Sequence, residues 1–209
     1  MIEMCIFTIV VSHPHAPSVV VLAEKGTIPN PLVVASEIMD ISPPPGAPAS
    51  TDTEGASSAD ADSGQVKILE PQLLPIWIGH TEAEAIMSLL EGTRHSRPLT
   101  HDLLANVIAS LGSSVEHVVI DKVLGPTFFA SICLNREGRQ IHIDARPSDS
   151  IALALHTGAP IFADEDVLNS SAHRFMVKVS DGGELLYGSD VEMERFRSFI
   201  ESVSPEDFM

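Results

Sequence analysis

Two short stretches of the chain gather polar residues where a core-building sequence has no use for them. They are Arg97-Pro98-Leu99-Thr100-His101-Asp102-Leu103 and Asp144-Ala145-Arg146-Pro147-Ser148-Asp149-Ser150. Each joins an extended segment to a helix start, with an arginine just ahead of the helix and an aspartate in its first turn. Backbone N–H groups at a helix N-terminus lack an intrahelical acceptor and, together with the helix dipole, favour an anion such as phosphate. If the two starts come together, Arg97, His101, Asp102, Arg146 and Asp149 form one charged cluster suited to phosphodiester cleavage. Histidine titrates near neutrality, so His101 can activate water or protonate a leaving oxygen. Asp102 and Asp149 can assist catalysis and are the candidate ligands for Mg²⁺ or Mn²⁺, hard ions that take carboxylates and keep several waters. Arg97 and Arg146 can hold a phosphate bidentately and stabilise its charge in the transition state. Ser148 can add a hydrogen bond to the same phosphate.

Every one of these residues also has a plainer use. An aspartate in a helix first turn is stabilising by about 0.3–1 kcal/mol without any ligand. Thr100 and Ser148 read as ordinary N-caps. An arginine beside such an aspartate often serves only as an ion pair that fixes a loop. Arg146 with Asp149 leans toward function, because charges flanking the start of a buried helix are costly unless paired or used.

The elements that must position these residues follow from periodicity. Glu3 to Val11 and Ser18 to Leu22 are β-branched and apolar, and read as two strands around Ser12-His13-Pro14-His15-Ala16-Pro17. Leu73 to Ile78 reads as a short buried strand. Thr81 and Glu84 have the spacing of a capping box for a helix that carries Ala83, Ile86, Leu89 and Leu90 and stops at Gly92. A second helix starts with Thr100 as N-cap, with Leu103, Leu104, Val107, Ile108 and Leu111 as its apolar stripe and Gly112 at its end. Val115–Val123, Thr127–Leu134 and Gln140–Ala145 form a three-strand meander. Ile151-Ala152-Leu153-Ala154-Leu155 is apolar all round, which predicts a central buried helix with Ser148 as N-cap and Gly158 as stop. Pro160–Ala163 is a last short strand, and Asp164-Glu165-Asp166 opens a short helix. Val191 to Val203 is amphipathic. The predicted fold is therefore α+β: a compact domain with a mainly antiparallel or mixed sheet, several short helices and a C-terminal amphipathic helix. Its expected organisation is 1–40 as strands of the core domain, 41–65 as a disordered insertion, 66–180 as the core, and 181–209 as an acidic helix and tail.

Composition limits the partners. Of 209 residues, 44 % are hydrophobic and 5 % aromatic, so the core is aliphatic. No apolar run approaches the ~18–20 residues that span a bilayer, and no signal peptide is evident, so the cytoplasm is the expected location. Cys5 and Cys133 stand alone in strand-like stretches and read as reduced core residues. His13-Pro14-His15 reads as a turn before it reads as a metal site, and Trp77, Phe128 and Phe129 as core before base-stacking platforms. The net charge of −17 opposes nucleic-acid binding. Residues 66–180, however, hold 13 acids against 9 bases with seven of the nine histidines, so most of the acidity lies outside them. Nucleic acid remains the expected substrate, bound weakly.

The chain resembles the bifunctional nuclease domain family. Leu74-Pro75-Ile76-Trp77-Ile78-Gly79 with Glu82-Ala83 and Ala85-Ile86 looks like the family's opening signature. Arg97 to Leu103 is similar to its central motif. Asp144 to Ala154 is similar to its strongest one, with Ser150 where alanine is more usual. The similarity covers roughly Glu3 to Leu22 and Gln72 to Ala172, and the 41–65 insertion departs from the compact members. The resemblance implies a compact α+β domain that forms homo-oligomers and hydrolyses DNA or RNA. It supplies no catalytic residue set, so the roles given above rest on the residues. The alternative is a non-catalytic regulatory or assembly protein in which the cluster is a structural clasp. A cluster in an open cleft favours the nuclease, and a buried, fully paired network favours the clasp.

Overall fold

The computed structural model describes residues 1–11, 17–28, 33–35, 67–93, 95–179 and the single position 198. The 41–65 insertion and the His13-Pro14-His15 turn lie outside the described residues, as does the 191–203 helix apart from Ser198.

Strands β1 (Ile2–Val10) and β2 (Ser18–Glu24) form from the two β-branched runs and pair antiparallel, with an irregularity between Ile6 and Thr8. A short β3 (Val33–Ala35) lies parallel to β1. Strand β4 (Lys67–Leu69) is separate from this sheet, and β5 (Gln72–Ile78) pairs with β2, with Val20 opposite Ile76. The chain before the insertion and the chain after it therefore build one sheet. Two helices follow, α1 (His80–Leu90) and α2 (Thr100–Ser110). The predicted meander is β6 (Ser114–Leu124), β7 (Thr127–Arg136) and β8 (Arg139–Ala145). Helix α3 (Pro147–Thr157) leads to β9 (Ile161–Ala163), which runs antiparallel to β1 and parallel to β6 and so joins the two halves. Helix α4 (Glu165–Ser171), β10 (His173–Arg174) and β11 (Val177–Val179) complete the described chain. The sheet order is β10-β5-β2-β1-β9-β6-β7-β8, with β11 and β4 as a separate ribbon. This is the mixed-sheet α+β fold that the sequence predicts.

Helix α3 is the centre of the packing. Ile151, Ala152 and Leu153 are fully buried against Val118, Ile120, Ala130 and Ile132 of the meander, together with Ile86 of α1 and Ile108 of α2. Removing one such side chain from water contributes about 1.5–3 kcal/mol. On the other face of the sheet, Phe7, Val10, Val19, Val21, Leu73 and Val177 form a second cluster. Burial on both faces explains why β1 and β2 are unbroken apolar runs rather than alternating ones.

Three helix starts differ from the sequence expectation. Helix α1 begins two residues earlier than a Thr81 cap allows: Gly79 is its extended N-cap, and no capping box forms between Thr81 and Glu84. Leu99, not Thr100, caps α2, and its N–H donates to the Asp102 carboxylate at 2.9 Å. Arg146, not Ser148, caps α3, because Pro147 fits the first helical position, where its missing N–H costs nothing. The apolar stripe of α2 is also only partly used. Ile108 is buried, whereas Leu103, Val107 and Leu111 are exposed. The reason is that α3 occupies the space over β6 and β7, leaving α2 to lean on α3 with one flank. No helix among the described residues is long and apolar enough to cross a membrane.

Candidate active site

The first turns of α1, α2 and α3 converge on one open cleft of about 780 Å³. In each helix the third residue is acidic: Glu82, Asp102 and Asp149. Thr81, Glu82, Thr100, His101, Asp102, Arg146 and Asp149 line the cleft, with Glu84, Ser88 and His95 further along the α1 side and the loop that follows it. Three helix N-termini supply unpaired N–H groups and positive dipole ends at one place, a stronger anion-attracting arrangement than the two that the sequence pattern offers.

At the centre stands Arg146. Its Nε donates to Asp149 Oδ2 at 2.7 Å and its Nη2 to Asp149 Oδ1 at 3.1 Å, while Nη1 donates to Glu82 Oε1 at 2.9 Å. These bonds use three of the five N–H groups of a guanidinium. The side chain is 65 % exposed, so the remaining two can reach an incoming oxygen. Asp149 is held below the usual carboxylate range, first by its hydrogen bonds from Arg146 and secondarily by His101, against the opposing effect of partial burial. The Arg146 guanidinium is correspondingly harder to deprotonate.

His101 Nε2 lies 3.3 Å from Asp149 Oδ1. A proton on Nε2, facing this carboxylate, leaves the Nδ1 lone pair as the basic site of the neutral ring. His101 is thus oriented by a carboxylate that is itself anchored by an arginine. Asp102 has a different employment. One of its oxygens accepts from the Leu99 N–H, and the other lies 3.0 Å from Nδ1 of His156 at the far end of α3.

Of the six residues singled out by sequence, the structure brings His101, Asp102, Arg146 and Asp149 to the cleft. Arg97 is exposed outside the cleft wall and makes no ion pair among the described residues. Ser148 is buried in the first turn of α3, also outside the cleft wall. Three participants were not anticipated: Glu82, which binds Arg146; His156, which binds Asp102; and His95, whose Nε2 lies 2.9 Å from Ser88 Oγ. The acid at the third helical position is the signal that could have found Glu82. Nothing local in the sequence marks His95 or His156.

A divalent cation does not fit the carboxylates as they stand. Asp149 is engaged by Arg146 and His101, Asp102 by the Leu99 amide and His156, Glu82 by Arg146, and Glu84 lies 3.4 Å from His80. No three acidic, histidine or cysteine side chains among the described residues are placed to share an ion.

A family model described as the bifunctional nuclease domain matches residues 67–175, which hold every residue of the cleft. The chain belongs to the bifunctional nuclease domain family. Two similar proteins, from two strains of Mycobacterium tuberculosis, are each 43 % identical to it over 135 residues, covering 65 % of this chain and 80 % of the relative. Both are described as uncharacterized. The family name thus carries a nuclease-related function, and the two relatives add no activity to it. Strands β1 and β2, although part of the same sheet, lie outside the matched span.

Proposed function

We propose that this bifunctional nuclease domain protein hydrolyses phosphodiester bonds of DNA or RNA in the α1–α2–α3 cleft. One observation carries the reading: a histidine oriented by a carboxylate, and an arginine with two free N–H groups, share an open cleft where three helix N-termini meet. The nonbridging phosphate oxygens are held by Arg146 and the helix-start amides. Water attacks phosphorus while Nδ1 of His101 accepts its proton, and the bond from phosphorus to the leaving oxygen breaks. His95, the second imidazole of the cleft, is the group available to protonate that oxygen. Four carboxylates line the cleft against one guanidinium, so substrate binding is weak. Both cysteines are free, in keeping with a reducing compartment such as the cytoplasm.

The second reading, a non-catalytic assembly or regulatory protein, is favoured by the completeness of the pairing: Arg146, Asp149, Glu82, His101 and Asp102 all have partners. One experiment separates the two. Purified wild type and His101→Ala are incubated with single- and double-stranded DNA and RNA, in EDTA and in Mg²⁺ or Mn²⁺. Cleavage that falls at least about 100-fold in the folded variant supports the nuclease. Cleavage by neither supports the assembly protein, and equal cleavage by both marks a contaminant. Cutting that persists in EDTA agrees with the occupied carboxylates; cutting that requires a cation shows that substrate or metal displaces Arg146 or His156.

A further inference from the structure

The cleft is short. Glu82, Ala85 and Leu89 recur at i, i+3 and i+7 and share one side of α1 from its first turn to its last, about 10 Å of helix. Arg146, which binds Glu82, and His101, which shares Asp149 with Arg146, stand at the first-turn end. At the other end Nε2 of His95 lies 2.9 Å from Ser88 Oγ. Ala85, Leu89, Pro98 and Leu99 give the wall a largely apolar surface. A cavity of about 780 Å³ with an apolar wall and a few converging polar groups is of the size and kind that takes a small molecule.

A track for single-stranded nucleic acid is built otherwise: a positively charged groove follows the backbone, and aromatic rings stack successive bases. Among the described residues that line this cleft there is no phenylalanine, tyrosine or tryptophan, and the one guanidinium faces four carboxylates. Trp77 packs with the cluster on the far face of the sheet and Phe128 with the central core. The four acids are not alike. Glu82 and Asp149 are bonded to Arg146, and Asp102 holds the Leu99 N–H and His156. Glu84 lies 3.4 Å from His80 and keeps its side chain 62 % exposed, the most open of the four. It stands one helical turn ahead of Ser88 on the same ridge of α1.

We infer that the substrate of this cleft is a phosphodiester of dinucleotide size, and that of a longer strand it takes only an end without a terminal phosphate. The inference rests on the hydrolysis reading above and narrows it. One phosphate sits at Arg146. The leaving nucleoside lies along α1, with its base against Leu89, Pro98 and Leu99 and its sugar at the Ser88–His95 pair. A further phosphate on that nucleoside meets the Glu84 carboxylate, so Glu84 sets the length limit. Hydrolysis takes up one water and yields a nucleoside, with the proton on its freed oxygen, and a nucleotide that keeps the phosphate as a monoester. A longer strand therefore loses one nucleoside and stops, because the new end carries the phosphate that the cleft refuses.

The test compares kcat/KM of the full chain, in EDTA and in Mg²⁺, on four substrates in DNA and RNA form. They are a dinucleotide with free hydroxyl ends, the same dinucleotide phosphorylated at its 5′ or its 3′ end, a linear oligonucleotide, and that strand closed into a circle. The expected result is cleavage of the dinucleotide, removal of a single nucleoside from the linear strand, and an intact circle. Phosphate at one of the two dinucleotide ends lowers kcat/KM at least about tenfold, since a phosphate monoester brings nearly two charges to Glu84. Glu84→Gln, which keeps the shape and removes the charge, returns about fivefold of that loss. A circle cut as fast as the linear strand, a strand degraded step by step, terminal phosphates without effect, or no gain from Glu84→Gln overturns the inference. If wild type cuts nothing, the hydrolysis reading falls, and titration calorimetry of wild type with the dinucleotide and the circle decides the ligand. Tighter binding of the dinucleotide then supports the inference; tighter binding of the circle, or binding of neither, overturns it.

Discussion

The two helix starts at Asp144–Ser150 and Arg97–Leu103 carry the same kinds of residue in the same order and have different fates. At Asp144–Ser150, Arg146 and Asp149 bind each other, and the helix they open is buried on all sides. At Arg97–Leu103, Arg97 stays outside the cleft, Asp102 fastens its own helix start and the end of α3, and only His101 reaches across to the other junction. The helix opened at the second of these places keeps four of the five residues of its apolar stripe exposed. An arginine and an aspartate near a helix start are thus not equivalent wherever they occur. What separates the two junctions is the helix behind them: α3 is locked into the core and can hold a charged pair in one geometry, and α2 leans against it.

This difference can be broken or sharpened by substitution. The largest effect on stability is expected in the buried helix: Ile151→Ala costs about 2–5 kcal/mol, whereas Leu103→Ala on α2 costs less than about 1 kcal/mol when the chain is monomeric, both by urea denaturation. Similar losses at the two sites would remove the distinction between a locked and a leaning helix. Next comes Arg146→Ala, which leaves the Glu82 and Asp149 carboxylates facing one another and costs about 1–3 kcal/mol. Arg146→Lys does not restore the loss, because an ammonium cannot make the fork to Asp149 and reach Glu82 together.

The pH dependence is smaller and has a defined sign. The folded state holds the Asp149 carboxyl below its ordinary range, mainly through Arg146. Its contribution is fully present above the unfolded value, about 3.9, and is lost as pH falls through the depressed folded value. The stability difference between wild type and Asp149→Asn therefore shrinks on acidification, measured by urea denaturation at a series of pH values. A difference that grows toward acid pH contradicts the Arg146–Asp149 anchor. The smallest effect belongs to the other arginine: Arg97→Ala changes stability by no more than about 0.5 kcal/mol.

The fold was legible to the extent that its signals are local. The meander, the all-apolar α3 and the turn glycines declare themselves in runs and periods, and Gly158, at φ 71°, ends α3 in the left-handed conformation that a glycine adopts at least cost. The helix caps were less legible, because Thr81, Thr100 and Ser148 are good cap residues that lie one or two positions inside helices started by Gly79, Leu99 and Arg146. The exposure of the α2 stripe was not legible, because periodicity reports an apolar face and not what covers it. In the cleft, His101, Arg146 and Asp149 were found from charge beside a helix start. His95 and His156 meet the site only through tertiary packing, which no spacing in the sequence records.

The central claim is that His101 works through Asp149 and that Asp102 fastens helices. It is tested most directly by comparing cleavage of one labelled oligonucleotide by Asp149→Asn and Asp102→Asn. The expected result is a loss of at least about 100-fold for Asp149→Asn and less than about tenfold for Asp102→Asn, whose main effect is on stability. A larger loss for Asp102→Asn, or equal losses for both, would contradict the account and return both carboxylates to the role of metal ligands.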